Sequence, residues 1–72
     1  MTDTKALREK ISERGLKLKF VAEKVGLSYQ GLQNKIENKS DFTTTEISTL
    51  CELLNITSLK EKESIFFATK VD

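Results

Sequence analysis

Apolar residues recur along this chain at three- and four-residue intervals, the period of an amphipathic helix, and no proline interrupts them anywhere. Leu7 and Ile11 lie four apart with Ala6 beside them, and Gly15 follows as a stop that tolerates left-handed backbone, so the first helix is placed at about 4–14. Thr2, Asp3 or Thr4 can accept the orphan N–H groups at its start. Val21, Ala22 and Val25 form one stripe that Gly26 ends, giving a second helix over about 18–25. Gly26-Leu27-Ser28 then reads as a tight turn, in which glycine supplies positive φ, Leu27 plugs the corner and Ser28 caps the next helix. That third helix, about 28–37, buries Leu32 and Ile36 with Tyr29 at their edge, and Asn38 is its left-handed terminator.

Lys39-Ser40-Asp41-Phe42 is a polar loop with one aromatic anchor. Thr43-x-x-Glu46 matches a capping box, and Ile47, Leu50, Cys51 and Leu54 follow at helical spacing, which places a fourth helix at about 44–54. Ser58-x-x-Glu61 is a second capping box opening a short helix to about Ser64 or beyond. Ile65-Phe66-Phe67 either finishes that helix or forms a strand, because periodicity does not settle so short a run. The expected architecture is all-α, five helices in a single domain over 1–72 with its core at about 4–66.

Length and composition narrow the functions available. At 72 residues the core is thin, since so small a domain buries only roughly 60 % of its unfolded surface. No apolar run approaches the ~20 residues of a membrane span, and Met1-Thr2-Asp3-Thr4-Lys5 lacks the apolar stretch of a signal peptide. One cysteine makes no internal disulfide; its place in the fourth helix's apolar stripe marks Cys51 as a buried small hydrophobe. With no histidine, three scattered glycines and no paired acids in a cleft pattern, neither a catalytic set nor a metal or cofactor site is expected. The net charge of +1 hides an asymmetry: residues 1–40 carry nine basic and five acidic groups, a balance of +4, and residues 41–72 carry three and six, a balance of −3. A polyanion would therefore meet the first half.

Residues 15–38 carry the functional signal. Ala22, four before Gly26, is small enough for the third helix to cross closely over the second, Gly26 makes the turn, and Leu27 and Leu32 pin the angle. That geometry is a helix-turn-helix whose second helix projects into a DNA major groove. Gly15, Val21-Ala22-Glu23-Lys24-Val25-Gly26-Leu27-Ser28, Leu32 and Ile36-Glu37-Asn38-Lys39, with Glu46-Ile47 to Ile56 beyond, resemble the phage repressor and Cro type of domain, the xenobiotic-response-element family. The resemblance covers about residues 4–66 and implies a lambda-repressor-like fold. Asn34 to Phe42 is similar to a string found in small phage-borne members. Three departures stand out. Lys17-Leu18-Lys19 replaces the family's Thr-Gln, so a lysine takes the phosphate role. Lys39 stands where a glycine is usual. Leu32 and Ile36 are spaced one residue longer than the commonest pattern.

Each helical residue turns about 100°, so with Leu32 and Ile36 inward, Gln30 and Asn34 share the outward face and Gln33 lies on its flank. A carboxamide can hold adenine bidentately, and the resemblance places base-reading side chains at Tyr29, Gln30 and Asn34. Tyr29 equally suits a thymine methyl, a phosphate or the core edge. Lys17, Lys19, Ser28, Lys35, Lys39 and Ser40 flank this helix as phosphate ligands, and the starts of the second and fourth helices offer backbone N–H groups. Phe20 is read as a partial cover for the core. Ile65, Phe66 and Phe67 are either the last core residues or a dimer contact.

The expected function is sequence-specific binding of double-stranded DNA to regulate transcription, as a repressor or Cro-like protein of a phage or prophage, in the cytoplasm. A homodimer on an inverted repeat is expected, because one copy contacts too few base pairs. No membrane association is expected, and no small-molecule ligand, since no residues are left over to form a sensing domain. The alternative is a protein-binding module of the same fold, anti-repressor or antitoxin-like, which the near-neutral charge favours.

Overall fold

The computed structural model describes residues 1–69, so positions 70–72, counted in the domain above, lie outside the described residues. The helices are α1 (Thr4–Glu13), α2 (Leu18–Val25), α3 (Tyr29–Ile36), α4 (Thr44–Leu53) and α5 (Leu59–Phe66), and no strand occurs among the described residues. None of these helices is long and apolar enough to cross a membrane.

Local side-chain chemistry sets the starts. Asp3, Ser28, Thr43 and Ser58 each accept a hydrogen bond from a backbone N–H three residues on, while α2 begins at Lys17 with no side-chain cap. The ends of α1 to α4 repeat one device. A residue of positive φ turns the chain left-handed: Gly15 (69°), Gly26 (83°), Asn38 (64°) and Asn55 (56°). The next N–H then reaches back five residues to a helix carbonyl, Leu16 to Ile11, Leu27 to Ala22, Lys39 to Asn34 and Ile56 to Cys51. The stop at Asn55 was not among the elements read from the pattern.

The core keeps most of the expected positions and adds Ile56, while Val25, Leu27 and Cys51 are only partly buried. Leu7, Ile11, Val21, Ala22, Leu32, Ile36, Ile47, Leu50, Leu54, Ile56, Ile65 and Phe66 are all buried. α2 packs on α3 and α4, and α1 packs on α3 and α5. Ile65 and Phe66 finish α5 as core residues, and the Phe66 ring meets Phe42 edge to face at 5.8 Å. Phe67 lies outside the core and is exposed. Cys51 is partly buried against the core, and burial pushes its thiol pKa up, so it stays protonated at neutral pH. Phe20 is 41 % exposed, and the Lys24 ammonium stands 5.5 Å over its ring.

Two pairs of hydrogen bonds lock the chain's start to distant parts. The Asp3 N–H donates to the Ile65 carbonyl (2.7 Å) and the Ala68 N–H to the Met1 carbonyl (2.9 Å). On the other side, the Thr2 N–H donates to Asn38 Oδ1 (2.8 Å) and Asn38 Nδ2 donates to the Thr2 carbonyl (2.8 Å). Residues 1–3 are thus stitched between the end of α5 and the end of α3, and Thr2 is buried.

Candidate nucleic-acid interface

The α2–α3 corner sets the attitude of α3. Gly26, at φ 83°, makes the turn in a region that costs other L-residues about 1–2 kcal/mol. Ser28 Oγ accepts from the Gly31 N–H at 2.9 Å. A Cβ at position 31 would stand 3.0 Å from that oxygen, so glycine there leaves room for the cap. Ala22 is 2 % exposed under the crossing, and Leu32 and Ile36 are fully buried. The opposite end of α3 is anchored by α1 and the residues before it. The Thr4 hydroxyl donates to the Ile36 carbonyl (2.6 Å), and Asn38 holds Thr2.

With those positions inward, the remaining side of α3 is polar. Gln30 is exposed and Asn34 partly so, and Gln30 Nε2 donates to Asn34 Oδ1 at 3.0 Å. Among the described residues, Gln30 Oε1 and the Asn34 amide group keep unused hydrogen-bonding capacity. Gln33 is employed at both ends: Oε1 accepts from Arg8 Nη2 (3.2 Å) and Nε2 donates to the Tyr29 hydroxyl (3.0 Å). Tyr29 is 49 % exposed.

The flanking residues divide. Lys17 and Lys19 at the start of α2, and Lys39 and Ser40 beyond α3, are exposed, with Lys39 Nζ 3.6 Å from Glu37. Ser28 is exposed too, its oxygen engaged as the α3 cap. Lys35 differs, because its ammonium donates to Glu46 Oε1 (2.8 Å) and to the Asp41 carbonyl (3.0 Å) and its side chain is only 17 % exposed. Its charge is spent within the fold, bracing α3 against the start of α4.

Glu46 also accepts from the Thr43 N–H (2.9 Å) while Thr43 Oγ1 accepts from the Glu46 N–H (3.2 Å), which closes the capping box. Burial pushes the Glu46 pKa up, but the hydrogen bonds from Lys35 and Thr43 outweigh it and hold the carboxyl below its ordinary range. The start of α4, expected to offer N–H groups, therefore has two of them occupied. The start of α2 has no side-chain cap.

Arg8 is the residue that the pattern did not single out. From α1 it reaches Gln33 and also Glu37 (3.0 Å), residues 25 and 29 positions away. The only hint lay in residue type: it is one of two arginines among ten lysines. Among the described residues no group of His, Cys, Asp or Glu is arranged to hold a metal ion.

Comparison with known proteins agrees with this geometry. A family model described as a Cro/C1-type HTH DNA-binding domain matches residues 6–61, from α1 into α5. No curated protein and no solved structure matches the chain.

Proposed function

The chain belongs to the Cro/C1-type helix-turn-helix DNA-binding domain family, and from that premise we propose that it is a sequence-specific regulator of transcription, a repressor or Cro-like protein of a phage or prophage acting in the cytoplasm. The observation that carries this reading is the Gln30–Asn34 pair, two carboxamides joined to each other on the outward side of a helix whose inward side is core. Seated in a major groove, each can offer an acceptor and a donor to adenine, worth about 1–3 kcal/mol of discrimination per good pair. Tyr29 and Gln33 contribute at the edge of that surface. Lys17, Lys19, Ser28, Lys39 and Ser40 hold phosphates and fix the register, with the uncapped start of α2 beside them. Lys35, already neutralised by Glu46, supports them by position. Two copies bind an inverted repeat with half-sites one helical turn, about 34 Å, apart. Leu59 and Phe67, exposed on α5 and just after it, supply apolar surface for that pairing.

The test is a titration against a library of duplexes at two salt concentrations, followed by Asn34→Ala on the selected site. Phosphate contacts predict a steep loss of affinity with salt, and Asn34→Ala is expected to weaken the selected site about tenfold or more while leaving random DNA nearly unchanged. Equal losses on both remove Asn34 from base reading. A chain that retains no duplex at low salt but co-purifies with one stoichiometric protein is a protein-binding module instead.

A further inference from the structure

The hydrogen bonds that run from α1 to the outward side of α3 have a direction that chemistry alone fixes. A guanidinium donates and never accepts, so the carboxamide oxygen of Gln33 must face Arg8, as it does at 3.2 Å. The Gln33 NH2 group must then point the other way, toward the Tyr29 hydroxyl at 3.0 Å. An NH2 group also only donates, so the phenol oxygen accepts and its own proton is directed away from Gln33. Tyr29 is half exposed and its hydrogen bond with Gln33 lies at the surface, so that proton is presented there. Glu37 closes the inner end by accepting from the same Arg8 nitrogen at 3.0 Å.

We propose that Arg8 is a positioning residue that, through Gln33, presents the Tyr29 hydroxyl to DNA as a hydrogen-bond donor. This rests on the DNA-binding reading above and deepens it. The partner is a hydrogen-bond acceptor, either a base acceptor (guanine O6 or N7, thymine O4) or a phosphate oxygen. A base donor such as cytosine N4 or adenine N6 meets the Tyr29 proton and is disfavoured. Gln30 and Asn34 behave differently, since among the described residues no donor-only group pins them. They can turn over together, keep their mutual hydrogen bond and present the opposite pattern. The outward side of α3 thus joins one pinned donor to one adaptable pair.

The experiment measures duplex affinity for the wild type, Tyr29→Phe, Arg8→Met and the double variant. Tyr29→Phe is expected to cost about three- to tenfold, the worth of one hydrogen bond. Arg8→Met is expected to cost a similar factor with Tyr29 present and little more once Y29F is made, whereas a purely structural Arg8 lowers affinity equally in both backgrounds. Gln33→Glu serves if Arg8→Met does not fold. It keeps the pairing with Arg8 but only accepts, so the Tyr29 proton turns inward; its loss is expected to shrink in the Y29F background. In the unbound protein, Gln33 side-chain NH2 protons are expected to show nuclear Overhauser contacts to the Tyr29 ring.

A loss confined to the selected site identifies a base acceptor, and an equal loss on all duplexes identifies a phosphate; either supports the proposal. Independent losses in the cycle, no effect of Tyr29→Phe, or Gln33 NH2 protons facing Arg8 overturn it. A wild-type chain that holds no duplex removes the DNA-binding reading itself. A wild type that binds, with independent losses, removes only the role of Arg8.

Discussion

The inward and outward sides of α3 are held by different physics. Leu32 and Ile36, inward, have no accessible surface and meet apolar neighbours from the other helices. Gln30, Gln33, Asn34 and Tyr29, outward, hold their places through hydrogen bonds to each other and to Arg8. The inward side contributes to folding because it removes apolar surface from water, about 1.5–3 kcal/mol per large side chain. The outward side contributes little to folding, because its polar groups exchange one set of hydrogen bonds for another with water. A helix-turn-helix domain can therefore change what it reads without changing how it folds.

The sharpest way to break that contrast is Leu32→Ala. It leaves a cavity at the α2–α3 crossing and is expected to cost about 2–5 kcal/mol in denaturant unfolding, taking DNA binding with it because so small a domain has little stability in reserve. Asn34→Ala is the converse. Its unfolding free energy is expected to stay within about 0.5 kcal/mol of wild type, so a large stability loss there would show that the outward side also builds the core. Gly26→Ala acts on both sides at once. A Cβ meets nothing within 4 Å, so the expected cost, about 1–2 kcal/mol, is that of forcing alanine into φ 83°; circular dichroism melting reads it.

A further pair of variants sharpens the comparison through Lys35, whose ammonium ties α3 to Glu46. Thr43→Ala is expected to cost about 1 kcal/mol by opening the α4 cap. Glu46→Gln tests the charge. The folded carboxyl titrates below its ordinary value of 4.5, so its stabilising share is complete above that pH and is lost as pH falls through and beneath it. The stability gap between wild type and Glu46→Gln is expected at pH 7 and should close in acid, read by urea unfolding across pH. A gap that persists unchanged in acid would assign the stabilisation to shape rather than charge.

The two Ser/Thr-x-x-Glu starts show how far the sequence could be read. Thr43-x-x-Glu46 closes into the reciprocal box that its residues predict. Ser58-x-x-Glu61 makes only half of one: Ser58 Oγ accepts from the Glu61 N–H at 3.3 Å, but the Glu61 carboxylate pairs with Lys10 of α1 at 2.8 Å. The motif is the same, and the difference is a cation delivered by the fold. Asn38 repeats the lesson, because its role as a helix stop was legible while its grip on Thr2 was not.

Helix positions, most caps, the Gly26 corner and the inward residues followed from near-neighbour chemistry, since hydrogen bonds within four residues and a 3.6-residue apolar period are written into any short stretch of chain. Which polar groups meet across the molecule was settled by packing alone. Arg8 reaches Gln33, Lys35 turns to Glu46 and Lys10 takes Glu61 because burying the apolar stripes brings those distant helices within hydrogen-bond distance, and no spacing along the chain encodes that approach.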